Sequence, residues 1–129
     1  MSGHSASYSP GASQAESLAN LNSGFVVTGP GPQIATPIAP ADTVTVHNLS
    51  GEYVRGIITP VPALAATFLG DRSFVVAPGS AFQETFSRNV IQDITFVAVD
   101  MPAIAGAVSV ATLTPNANSY QLAVKFLEA

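Results

Sequence analysis

From Asp42 onward apolar and polar residues alternate with a period of two, broken at short intervals by turn residues. Such alternation predicts half-buried β-strands, whose successive side chains point to opposite faces. Thr43-Val44-Thr45-Val46-His47 predicts a strand with Val44 and Val46 inward and Thr43, Thr45 and His47 outward. Asn48-Leu49-Ser50-Gly51 supplies a turn. Glu52 to Thr59 then forms a mixed strand with Tyr53, Val54, Ile57 and Ile58, ended by Pro60 and Pro62. Residues 63–70 read two ways. Leu64 and Phe68 are helix-spaced, Pro62 suits a first turn and Gly70 an end, but the stretch also fits a strand.

Ser73 to Ala77 predicts a short apolar strand closed by Pro78-Gly79, a dipeptide suited to a type II turn. Ala81 to Phe86, if extended, places Phe82, Glu84 and Phe86 on one face. Ile91 to Val99 is rich in β-branched residues and apolar on both faces from Ile94, which predicts a central strand covered on both sides. Asp100-Met101-Pro102 turns the chain, Ile104 to Thr114 is a further strand candidate, and residues 114–118 form another turn. The last run alternates most cleanly, with Tyr120, Leu122, Val124 and Phe126 on one face and Gln121, Ala123 and Lys125 on the other. Seven or eight short strands at ~8–12-residue spacing predict an all-β fold, an antiparallel β-sandwich or small jelly roll. That domain is expected over residues 41–129.

Residues 1–40 have a different pattern and are expected to form an extended N-terminal arm. Fourteen of the first 24 residues are Ser, Ala or Gly, and Glu16 is the one charge among them. So little apolar area does not offset an ordering entropy of ~1–2 kcal/mol per residue. Within it, Ser13-Gln14-Ala15-Glu16 fits a capping box that would start a short helix with Leu18 and Leu21 on one side, stopped at Gly24. Two turns of helix are not stable alone in water, so the same residues also read as a solvated tail. Residues 29–40 hold four prolines and two glycines and predict a linker or wrapping arm.

Composition changes the picture on the surface. Four Lys/Arg and eight Asp/Glu make 9% of the 129 residues, where about 25% is usual. One charge then serves ~500 Å² of surface instead of about 200 Å². Few cations and a net charge of −4 argue against nucleic acid and anionic membranes as partners. With no Cys there are no disulfides, zinc–thiolate sites or thiol nucleophiles. No run reaches ~18 apolar residues, as a membrane-spanning helix would need. The first 24 residues lack Lys and Arg, so they do not read as a secretory signal, and the chain is expected to work where it is made or to leave by a route that reads no such signal.

Candidate chemistry is sparse. His47 is the body's one His, beside His4 in the tail; a triad with Asp42 and Ser50 is disfavoured because Asp42 and His47 point to opposite faces. Asp71, Asp93 and Asp100 lie in or near turns where calcium sites form, but without an Asp-x-Asp-x-Asp spacing they read as solvated carboxylates. Glu84, between Phe82 and Phe86, is the carboxylate best placed for a shifted pKa, unless it pairs with Arg72 or Arg88 or turns outward. Gly29-Pro30-Gly31-Pro32 is unsuited to cradle phosphate because Pro has no N–H to donate. Asn48-Leu49-Ser50 matches a glycosylation sequon, read here as chance. Tyr8, Tyr53 and Tyr120, with no Trp, make a thin set of platforms for carbohydrate. No catalytic, cofactor-binding or metal site is assigned, and the chain is read as a non-enzyme without cofactors.

A poorly charged β-domain with a long arm is expected to bury much of its surface against other protein. In architecture and composition it is similar to small accessory head or tail proteins of tailed bacteriophages, a likeness that carries no diagnostic motif. It implies a virion structural protein: a capsid-decorating or cementing subunit, likewise homo-oligomeric, assembled in the host cytoplasm and contacting its own copies and neighbouring capsid or tail subunits. Two other classes follow the composition less well. One is a small extracellular binding module, an adhesin or glycan-binding sandwich. The other is a compact hydrolase using His47, Glu84 or Asp93.

Overall fold

The computed structural model describes residues 6–8, 25–68, 72–102 and 109–127. Within them lie strands β1 (Ala6–Tyr8), β2 (Phe25–Thr28), β3 (Gln33–Pro37), β4 (Thr43–Asn48) and β5 (Tyr53–Pro60). These are followed by β6 (Ser73–Val76), β7 (Ala81–Thr85), β8 (Ile91–Val99) and β9 (Gln121–Leu127), with 3₁₀ turns at Pro62–Thr67 and Val110–Thr112. The strands form two antiparallel sheets, ordered β1-β3-β8-β5-β6 and β2-β9-β4-β7.

The pairing is nested. β2 pairs with β9, β3 with β8, β4 with β7 and β5 with β6, as in one long hairpin rolled up on itself. The further pairs β4–β9 and β5–β8 close each half into a four-stranded sheet. Eight strands in this order make a jelly roll. β1 is added to it at the outer edge of β3, with Ala6 opposite Pro37 and Tyr8 opposite Ala35.

Alternation positions the core as expected. Val44 and Val46 of β4 are fully buried between the sheets, as are Leu122, Val124 and Phe126 of β9 and Ile94, Phe96 and Ala98 of β8. β8 is also covered on its other face. Val97 and Val99 point away from the sandwich and pack with Leu113, with Val75 and Val110 beside them. Arg55, opposite Val97 on the neighbouring strand, holds this cover down: its Nη1 donates to the carbonyls of Ala111 (3.2 Å) and Leu113 (2.8 Å).

Three expectations need correction. The expected arm supplies two strands, β2 at 25–28 and β3 within the stretch 29–40 read as a linker, and Val27 and Ala35 lie in the same core as Val44, so residue 41 marks no boundary between packing units. Pro32 precedes β3 and Pro37 ends it, positions where a missing N–H costs little of the ladder. β5 runs on through Pro60, where a register shift at Thr59/Pro60 accommodates the ring against Ile91. Part of the strand expected over 104–114 is instead a 3₁₀ turn at Val110–Thr112; Thr112 Oγ1 donates to Ser109 O, a local bond that competes with strand pairing. Residues 103–108 lie outside the described residues, as do the Ser13–Glu16 capping box and its helix. The alternatives for 63–70 resolve as a 3₁₀ turn over Pro62–Thr67, with Pro62 in the first turn.

Candidate functional site

The two ends of the jelly roll are built differently. At one end β2 turns into β3 through Gly29–Pro32, with Gly31 at φ 81°. Tyr120 covers this turn and is 2% exposed. Its hydroxyl lies 2.6 Å from Gly31 O and 3.1 Å from Phe96 O, so one phenolic proton is shared between a carbonyl of the β2–β3 turn and one of β8. Burial raises the pKa of this phenol well above its ordinary value. A Cβ built on Gly29 would fall well inside contact distance of the Tyr120 ring, so only glycine lets the ring lie flat on the turn.

At the other end β5, β7 and β9 finish while β4 and β8 begin. Backbone bonds tie these termini together: Asp42 N–H to Leu127 O, Phe86 N–H to Asp42 O and Val61 N–H to Val90 O, at 2.8–2.9 Å. Here the packing stays open, and a cleft of about 310 Å³ lies between the 3₁₀ turn and the β7–β8 loop. Leu64, Phe68, Phe86 and Val90 form its apolar walls, and Thr67, Ser87 and Arg88 its polar lip. The Phe68 and Phe86 rings meet edge to face at 5.2 Å. Arg72 lies over the outer face of Phe68 at 5.6 Å and donates from Nη2 to Ala65 O. Two of the chain's four cations therefore attend one apolar cleft, in a protein of net charge −4. The helix-spaced reading of Leu64 and Phe68 correctly put them on one side. Arg88 and Ser87 were not foreseen; the signal available was an Arg two residues after Phe86 and another four residues after Phe68.

The candidate chemical residues do not converge. His47 is exposed on β4 between Ala81 and Ala123. Asp42 Oδ1 accepts from Thr43 Oγ1 and Ser50 Oγ donates to Asn48 Oδ1, so each is engaged away from the imidazole. Asp93 is half-buried opposite Thr59, and Asp100 is exposed and accepts from Asn116 Nδ2. Asp71 and His4 lie outside the described residues. Among the described residues no three of His, Cys, Asp and Glu come together as metal ligands. Glu84 does share the inner-face register with Val44 and Phe82, yet it is exposed because β7 is an edge strand. An inward-pointing charge on such a strand discourages edge-to-edge pairing.

Asn48, the sequon residue, is 2% exposed with its amide fully used. Nδ2 donates to Glu52 O and Val76 O, and Oδ1 accepts from the Ser50 N–H and hydroxyl. It ties the β4–β5 turn to β6 and offers no free nitrogen for a glycan.

No family model, no curated protein and no solved structure matches this chain. Function has to be argued from the fold and these two ends.

Proposed function

We propose that the protein is a non-enzymatic structural subunit of a virion, a capsid-decorating or cementing protein that stabilises a particle through protein–protein contacts. The observation that carries this reading is the solid interior. The space between the sheets is filled by apolar side chains such as Val27, Val44, Ile94, Phe96 and Leu122, all 0% exposed, so recognition has to occur on the outside. That outside is poorly charged and carries exposed Ile34, Ile38, Leu49, Tyr53 and Met101, a surface suited to burial against neighbours. Jelly rolls serve in viral capsids, a fold-level analogy consistent with this assignment.

The cleft favours a second reading, a small binding module. Jelly rolls also serve as lectins, but the walls of the Phe68–Phe86 cleft are apolar, better matched to an apolar side chain than to a sugar's hydroxyls.

Light scattering on the purified chain, together with co-sedimentation against particles from the producing cell, tests the proposal. A defined oligomer or stable incorporation into a particle is the expected result. A chain that stays monomeric at every concentration and joins no particle overturns it.

A further inference from the structure

We infer that the Phe68–Phe86 cleft is a binding site for a small organic acid, a ring or branched chain that fills the cleft with a carboxylate held at its lip. The cleft measures about 310 Å³, at the small end of the roughly 300–1,000 Å³ that ligand sites occupy. Its walls are carbon and no carboxylate lines it. The lip decides the charge of the ligand. Of its three polar side chains, Thr67 is already engaged, its Oγ1 donating to Leu64 O. Ser87 and Arg88 are exposed neighbours on the β7–β8 loop, and neither the hydroxyl nor the guanidinium has a partner among the described residues. Two free donors side by side, one of them a permanent cation, match a carboxylate, which accepts at both oxygens. Arg72 serves the wall instead: bonded to Ala65 O and seated over Phe68, it holds that ring in place.

A free acid fits this site better than a stretch of polypeptide. A bound peptide strand draws much of its affinity from main-chain hydrogen bonds. Here the main chain is already committed: Val61 N–H donates to Val90 O, Leu64 N–H to Val61 O, Phe86 N–H to Asp42 O and Val90 N–H to Arg88 O. β7, the edge strand that runs into Phe86, carries Glu84 in the inward register, and that charge opposes an added strand. A small acid needs only the apolar walls and the two lip donors. The site therefore goes beyond the assembly reading and does not depend on it.

Phenylacetate titrated into the isotope-labelled full-length chain, followed through its amide NMR shifts, tests the site. Saturable shifts should cluster at residues 64–68 and 86–90. Phenylacetamide, of the same size but uncharged, should bind several-fold more weakly. Arg88→Gln should erase that preference, while Lys125→Gln, which removes a cation from the outer face of β9, should leave it. Phe86→Ala should weaken acid and amide alike, and thermal unfolding checks that each variant is folded. Shifts that do not saturate or that fall elsewhere, equal binding of acid and amide by the unaltered chain, or the same loss from Lys125→Gln as from Arg88→Gln each overturn the inference. So does binding of a peptide with an adjacent Leu-Glu pair where phenylacetate does not bind, which gives the cleft to a protein segment. Light scattering and co-sedimentation decide the assembly reading separately, so either reading can fail while the other stands.

Discussion

The Tyr120 end and the Phe68–Phe86 end use the same materials, aromatic rings laid against loops, with opposite results. Tyr120 brings a polar tip that two carbonyls can share, and Gly29 lets its ring lie directly on backbone. The ring is buried over the β2–β3 turn and contributes to the core. Phe68 and Phe86 have no polar tip to anchor them; they touch each other edge to face and remain half-buried around a cleft. At these two ends the buried ring is the one whose polar group finds carbonyls and whose face meets a glycine. The two rings without that support leave a cleft open to a ligand.

The contrast breaks most visibly by truncation. Tyr120→Ala should lower stability by about 3–5 kcal/mol, whereas Phe86→Ala should cost about 1 kcal/mol or less, since its ring is only half-buried; urea denaturation of the two variants measures the difference. Gly29→Ala should cost about 2–3 kcal/mol by forcing the Tyr120 ring off its turn, and the same experiment on Gly31→Ala, at φ 81° but in open space, isolates backbone strain from collision.

A smaller effect sharpens the comparison through pH. The folded phenol keeps its proton where the unfolded one, with a pKa of about 10, loses it. The unfolded state then binds fewer protons, so stability is fully present below about pH 10 and falls above it by about 1.4 kcal/mol per pH unit. Tyr120→Phe should cost about 1–2 kcal/mol at neutral pH and remove that alkaline slope, as denaturation midpoints between pH 8 and 11 would show.

Strands with a strong local pattern were legible in the sequence: β4 and β9 lie where period two put them, with the predicted residues inside, and β8 lies where its β-branched run, apolar on both faces, put it. β2 and β3 were not, because four- and five-residue strands between prolines and glycines read locally as linker. They become strands because β9 and β8 present open edges for them to complete. The cleft was legible only in halves, Leu64 with Phe68 on one segment and Phe86 with Arg88 on another. Nothing local says that Phe68 and Phe86, eighteen positions apart, face each other.

By itself, then, the sequence determined an all-β chain, the inward faces of its long strands and a surface with few charges, because each depends on composition or on the two-residue period of a strand. The nested β2–β9, β3–β8, β4–β7 and β5–β6 pairing, the clamp of Arg55 on the outer cover of β8 and the unequal ends were decided only in three dimensions. Their energies come from contacts between residues far apart in the chain, and those contacts exist only once the chain is rolled up.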